Sequence, residues 1–193
     1  NSEAPLSKLR KMILSNTEEE RKLALLELEP YVKAAVKGTM LVMNGRPVTF
    51  RLLDPPLHEF VPQTPEKQNE LARELKISVE DIKKRGESLH EVNPMMGHRG
   101  VRLGITYPEI SETQFKAIFE ATAELMKEGY DPQPEIMVPV TVTVKELDDQ
   151  KAICDRIHAD VENRFGVKIT FLYGTMIEIP RAAITADEVA EEA

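Results

Sequence analysis

The chain has 193 residues, with 25 Lys and Arg against 33 Asp and Glu, for a formal net charge of −8 at pH 7. That acidic balance argues against a protein that coats nucleic acid or an anionic membrane, and no apolar run approaches the ~20 residues of a membrane span. Apolar residues make up 41% of the chain, enough to bury a real core in one large domain or two small ones.

The N-terminal stretch "NSEAPLSKLRKM" lacks the apolar centre of a signal peptide. "NTEEERKLALLELEPYVKAAV" opens on an N-cap and an acidic first turn, then shows helical spacing, and Pro30 is expected to divide it into two helices. In "GRPVTFRLLDPP", Val48, Phe50 and Leu52 alternate with Thr49, Arg51 and Leu53, which predicts a short strand over 48–53 ended by Pro55 and Pro56. "TPEKQNELARELKI" and "SVEDIKKRGESLHEV" read as two capped helices with Thr64 and Ser78 as N-caps. The glycine-rich stretch "NPMMGHRGVRLG" follows, and its "GVRLGI" suggests a strand near 100–104. "SETQFKAIFEATAELMKEGY" is a strong amphipathic helix with Phe115, Ile118, Phe119, Ala123 and Met126 on one face. "PEIMVPVTVTV" predicts a strand over 135–142, and "VKELDDQKAICDRIHADVENRFG" a helix stopped by Gly166. "VKITFLYGTMIEIP" predicts a strand over 169–178, and "TADEVAEEA" begins a helix.

Strands and helices alternate, so the predicted class is α/β with about four parallel strands joined by crossover helices. Four strands do not close a barrel. The pattern is that of part of a (β/α)8 TIM-type barrel, which takes eight strands and ~250 residues, with open edges before 48–53 and after 169–178. The stretch between the first two strands is longer than a crossover needs, so residues 61–92 are expected to form a helical excursion. The single cysteine, Cys154, excludes an internal disulfide and suggests a reducing compartment. It sits on the apolar side of its helix with Ile153 and Ile157 and reads as a buried small apolar residue.

In parallel α/β folds the site lies beyond the carboxyl ends of the strands. Arg51 and Asp54 fall at one such end, His98 and Arg99 in the loop before 100–104, and Glu178 at another, ahead of Pro180 and Arg181. Two arginines converging on that end make a bidentate clamp for phosphate or carboxylate, and a neighbouring carboxylate can hold Mg²⁺ together with substrate oxygens. The structural alternatives stay open on the sequence alone: Arg51 pairing with Asp54, and Glu178 solvated between Ile177 and Ile179. His58, His90 and His158 lack metal-ligand spacing and read as structural or exposed. There is no phosphate-binding P-loop, dinucleotide fingerprint, CxxC pair or nucleophile elbow.

Three stretches together resemble one family. "RLLDPPLHEF" (51–60), "NPMMGHRGVRLGITYPEI" (93–110) and "GTMIEIPRAA" (174–183) look like the C-terminal phosphoenolpyruvate/pyruvate domain of the pyruvate, phosphate dikinases, in the right order and with the helical insert between them. The resemblance runs from about Leu6 onward. Pyruvate, water dikinases and the sugar phosphotransferase Enzyme I share the "NP…G.R" and "MIE.P" elements and are the alternative within the superfamily. A stand-alone non-catalytic binding module is the alternative outside it.

The resemblance implies that a phosphohistidine on a separate swivelling domain of the same full-length chain exchanges its phosphoryl group with pyruvate enolate. The overall reaction interconverts ATP, pyruvate and phosphate with AMP, phosphoenolpyruvate and pyrophosphate. It implies that Arg51 and Arg99 bind the phosphoryl group, that Met176 lies near the substrate methylene, that Glu178 is a ligand of Mg²⁺, and that Arg102 is structural. It also implies a homodimer and a cytoplasmic or, in some relatives, organellar setting, with no nucleic-acid or membrane partner. The phosphohistidine motif, the nucleotide domain, the first barrel strand, the second metal ligand and the proton-donating cysteine have no counterpart in these residues. The expectation is therefore a piece of an enzyme, with no catalytic residue of its own and inactive in isolation.

Overall fold

A computed structural model describes residues 3–54, 61–62, 64–75, 77–88 and 97–193. The chain divides into two compact units, Asn1–Leu28 with Pro55–Arg99 and Glu29–Asp54 with Gly100–Ala193.

The first unit is helical. Helix α1 spans Glu3–Leu14, and α2 spans Glu18–Val42, its first half lying in this unit. Thr17 and Glu20 cap α2 reciprocally: Glu20 N donates to Thr17 Oγ1 at 3.2 Å, and Thr17 N donates to Glu20 Oε2 at 3.4 Å. Helices α3 (Pro65–Leu75) and α4 (Val79–Ser88) follow. Ser78 caps α4 as expected, its Oγ accepting from Asp81 N at 3.0 Å, and the Thr64 carbonyl takes the first bond of α3 from Gln68 N. Met12, Ile13, Leu25, Leu71 and Ile82 are among the buried apolar residues of this unit. The motif residues 55–60 and 93–96, with His58 and His90, lie outside the described residues.

The second unit holds a three-stranded parallel sheet in the order β1-β2-β3: Pro47–Arg51, Gln133–Val138 and Leu172–Thr175. Between β1 and β2 come α5 (Gly100–Thr106) and α6 (Pro108–Lys127), and between β2 and β3 comes α7 (Val144–Phe165). Short helices α8 (Pro180–Ile184) and α9 (Ala186–Val189) close the chain. One sheet face, with Phe50, Ile136, Val138 and Tyr173, packs on Phe115, Phe119 and Leu147 of α6 and α7. The side chains between them, Thr49, Arg51, Glu135, Met137 and Leu172, are half-buried or exposed on the other face. Alternation along each strand puts the two sets on opposite faces. His158 is structural: its ring sits 5.1 Å from that of Phe119 and 4.9 Å from that of Phe171, and its Nε2 is 3.0 Å from Ile169 O. Cys154 is buried, and burial pushes its thiol well above the ordinary range, so it is the inert residue expected.

Three expectations are corrected. The stretch near 100–104 is not a strand but helix α5, so the described residues hold three strands, not four. Alternating Val101, Leu103 and Ile105 mimic a strand, yet Ile105 is exposed, and Gly100 and Gly104 recur at the helical interval. Gly104 lets α5 approach its neighbours, since a Cβ there would lie 2.4 Å from Ser111 Oγ and 2.6 Å from Gln150 Oε1. Second, α2 runs through Pro30 without dividing. Proline removes one helical hydrogen bond, but on both sides of it the helix is tied to α6, by Glu29 before it and by Lys33 and Lys37 after it. Third, β2 stops at Val138, because Pro139 has no N–H for the ladder. β3 is likewise the shorter piece Leu172–Thr175 of the predicted 169–178.

Candidate site at the carboxyl end of the sheet

All three strands run the same way, so the chain after Arg51, after Val138 and after Thr175 emerges at one end of the sheet. Arg51 ends β1 in register with Met137, and Leu52 N donates to Met137 O at 3.0 Å. Among the described residues its exposed guanidinium makes no hydrogen bond or ion pair. The pairing with Asp54 weighed from the sequence is therefore not formed, and Asp54 is buried. An unneutralised cation at this end of a parallel sheet is suited to an anionic ligand.

Glu178 stands three residues past β3. Its Oε1 accepts from Val140 N at 2.7 Å, so the carboxylate is held by the loop that follows the central strand rather than solvated. Two further bonds stitch these loops together: Met176 N donates to Val138 O at 3.2 Å, and Thr175 Oγ1 donates to the same carbonyl at 2.7 Å. With its proton so used, Thr175 Oγ1 is the acceptor for the buried Thr141 hydroxyl 2.8 Å away. Half-buried Met176 thus sits between a fixed strand end and a fixed carboxylate.

Val140 makes that carboxylate contact from an unusual conformation. Its φ is 63°, it is fully buried, and it is the only non-glycine with positive φ among the described residues. β-Branched residues are rare in this region, and such outliers gather at functional sites. Gly100, at φ 55°, packs directly on the turn, and Val101 N donates to Pro139 O at 3.0 Å. The sequence reading missed Val140, Thr141 and Thr175. Pro139, inside an apparently continuous β-branched run, was the available signal.

The structure thus brings Arg51, Met176 and Glu178 to one end of one sheet, Arg51 on one outer strand and Glu178 after the other. At ~4.8 Å per strand, the central strand puts their backbones on the order of 10 Å apart. Arg99 ends the other compact unit, is half-buried and has partners of its own. Arg102 lies within α5. No three His, Cys, Asp or Glu side chains cluster as a complete metal cage among the described residues. Glu178 nevertheless fits a single metal ligand, since ligating carboxylates are themselves held by hydrogen bonds. No helix among the described residues is long and apolar enough to cross a membrane.

Comparison with known proteins supplies the family. The chain is 49% identical over 189 residues to pyruvate, phosphate dikinase of Clostridium symbiosum, an alignment covering 97% of this chain and 22% of that protein. It is 50% identical over 192 residues to pyruvate, phosphate dikinase of Entamoeba histolytica, covering 95% of this chain and 22% of the relative. It is 46% identical over 194 residues to the chloroplastic pyruvate, phosphate dikinase of Mesembryanthemum crystallinum, covering 100% of this chain and 20% of that protein. The chain therefore spans about a fifth of the length of these curated relatives. The family model for PEP-utilising enzymes, PEP-binding domain, matches residues 9–193, and the chain belongs to that family.

Proposed function

We propose that this chain supplies part of the pyruvate site of a pyruvate, phosphate dikinase. Such an enzyme interconverts ATP, pyruvate and phosphate with AMP, phosphoenolpyruvate and pyrophosphate through a phosphohistidine. The observation that carries the reading is the pair at the sheet's carboxyl end: Arg51 without a partner among the described residues, and Glu178 fixed by Val140 N–H. In this reading the three strands belong to a (β/α)8 barrel completed by other segments, with residues 61–92 as a helical insert. The sheet face carrying Thr49, Arg51 and Glu135 then looks toward the missing strands.

Arg51 binds the transferring phosphoryl group, where delocalised charge calls for a fixed cation. Arg99 is assigned to the same group on the resemblance alone, and Met176 lies beside the substrate methylene. Glu178 would supply one carboxylate oxygen to Mg²⁺. When bound, the ion neutralises charge developing between pyruvate and the phosphoryl group. The partners are the phosphohistidine domain of the same full-length chain and a second copy in a homodimer, and the setting is cytoplasmic, or organellar as in some relatives.

The test is pyruvate formation from phosphoenolpyruvate, AMP and pyrophosphate by the natural full-length protein with Mg²⁺. Activity that falls at least a hundredfold in both Arg51→Ala and Glu178→Gln supports the reading. An active enzyme indifferent to both substitutions overturns it. The 193 residues alone are expected to show no turnover.

A further inference from the structure

The second glycine of "GHRG" does something other than loosen a loop. Gly100 has no Cβ, and one built there would lie 2.7 Å from Val140 Cγ2, 2.8 Å from Pro139 O and 2.9 Å from Val140 Cβ. Two of those contacts are with the Val140 side chain and one is with backbone, so a larger residue cannot be absorbed by a rotamer change. Three further restraints hold the turn it abuts. Pro139 fixes its own φ, Val101 N holds Pro139 O at 3.0 Å, and Met176 N holds Val138 O at 3.2 Å. The Val101 bond to Pro139 O fixes the Pro139–Val140 peptide plane, and the Val140 N–H on its opposite edge reaches Glu178 Oε1 at 2.7 Å, while φ 63° at Val140 turns the chain that follows.

We infer that Gly100 and Val140 are positioning residues for Glu178: the bare Cα of Gly100 admits the left-handed turn at Val140, and that turn presents its N–H to one carboxylate oxygen. The other oxygen, Oε2, has no protein partner among the described residues. The choice of valine supports the assignment. A turn needed only to reverse the chain would carry glycine or asparagine at positive φ, as Gly166 does at the end of α7. Here a buried isopropyl group wedges against Gly100 and makes the turn stiff, and a hydrogen bond aims a ligand only as well as its donor is fixed. The inference rests on the proposed metal role of Glu178.

The experiment is Mn²⁺ titration of the natural full-length protein with pyruvate present, followed by water-proton relaxation. It runs well below the unfolding temperature of each variant. Gly100→Ala is expected to weaken Mn²⁺ binding at least tenfold, in the range of lost outer-shell contacts to metal ligands. Val140→Gly takes the same φ freely and keeps its N–H but loses the isopropyl wedge, and is expected to weaken Mn²⁺ binding roughly three- to tenfold, less than Gly100→Ala; parental affinity in this variant overturns the positioning role of the valine. Glu178→Gln separates the two ideas. If it leaves Mn²⁺ binding unchanged, the metal role itself fails. If it abolishes binding while Gly100→Ala does not weaken it, the metal role stands and the positioning inference is overturned. Should Gly100→Ala not fold, hydrogen exchange of the Val140 amide decides: Glu178→Ala should speed it at least tenfold, and unchanged exchange overturns the inference.

Discussion

Two charged regions of the second unit are built on opposite principles. Along α2 and α6, cations and carboxylates interlock. Lys33 Nζ lies 3.1 Å from Glu120 and 2.8 Å from Glu124, while Lys37 Nζ lies 2.9 Å from Glu124 and 2.7 Å from Glu128. Lys116 reaches Glu29 at 2.8 Å, and Arg164 of α7 reaches Glu120 at 2.9 Å. At the carboxyl end of the sheet, Arg51 has no partner among the described residues and Glu178 has a backbone N–H in place of a cation. Charges that hold helices together are neutralised within the protein. In the proposed function, charges kept for a ligand are left to be neutralised by it, and of the two only Glu178 is aimed by a hydrogen bond.

The sharpest way to break this contrast is to remove one charge from each region. Arg51→Ala should cost the full-length protein about 10²–10³ in kcat, the typical loss for one fixed donor to developing negative charge. It should leave the unfolding free energy within ~0.5 kcal/mol, as for an exposed side chain without partners. Glu120→Ala should do the reverse. Glu120 is 7% exposed in its side chain and answers both Lys33 and Arg164. Its loss should destabilise by about 1–3 kcal/mol and leave the kcat of the folded enzyme alone. Denaturant melts paired with turnover assays check both. If Arg51→Ala destabilises as much as Glu120→Ala does, the distinction collapses.

Acid offers a second cut. Burial pushes the Glu120 carboxyl up, but hydrogen bonds from Arg164 and Lys33 outweigh it and hold the group below its usual range. Glu124 is likewise held low, chiefly by Lys33. In the first unit, Lys11 and Lys8 pull Glu27 down to about 2. A carboxylate lowered in the folded state binds fewer protons than it does unfolded, so its stabilisation is present above the unfolded value of ~4.3 and is lost as pH falls through the folded one. Stability should therefore begin to drop below about pH 4.5 and, for Glu27, continue to about pH 2, with the contribution already reduced by solvent because that side chain is 38% exposed. Unfolding followed at stepped pH in 0.05 M and 1 M salt checks this. A transition that ignores salt would show that the ladder contributes little.

The contrast also explains what the sequence disclosed. Long amphipathic helices were legible because apolar spacing around Phe115 and Phe119 is a local, repetitive signal, and the Gly166 stop is a one-residue signal with a steric cause. Arg51 and Glu178 were legible as unusual residues at strand ends. α5 was misread because its seven residues are too few for periodicity to separate Val101-Arg102-Leu103 from a strand; packing of Gly104 on Ser111 and Gln150 decides the matter, and that is a long-range fact. Continuity of α2 through Pro30 depends on partners some 87 residues away in α6. The Val140 turn was hidden for the same reason. Nothing local in "VPVTV" requires positive φ; the room for it is left by Gly100, some 40 residues earlier in the chain, and the bond that uses it is made to Glu178.

The smallest predicted effect compares two left-handed residues. Gly166 has φ 66°, ends α7, and donates its N–H to Glu162 O at 2.8 Å. A Cβ there would meet nothing within 4 Å, so Gly166→Ala carries no steric contact and its whole cost is conformational. That cost should be about 1 kcal/mol, the lower part of the range for an L-residue forced into left-handed backbone. Metal binding and kcat should stay at parental values, because the relaxed turn at Gly166 aims no side chain at the candidate site. Gly100→Ala carries the same conformational penalty plus three contacts under 3 Å, and should therefore cost more stability as well as metal affinity. Equal melting temperatures for the two alanine variants would mean that the Val140 turn yields to the added methyl, and that it is not the stiff element its surroundings make it.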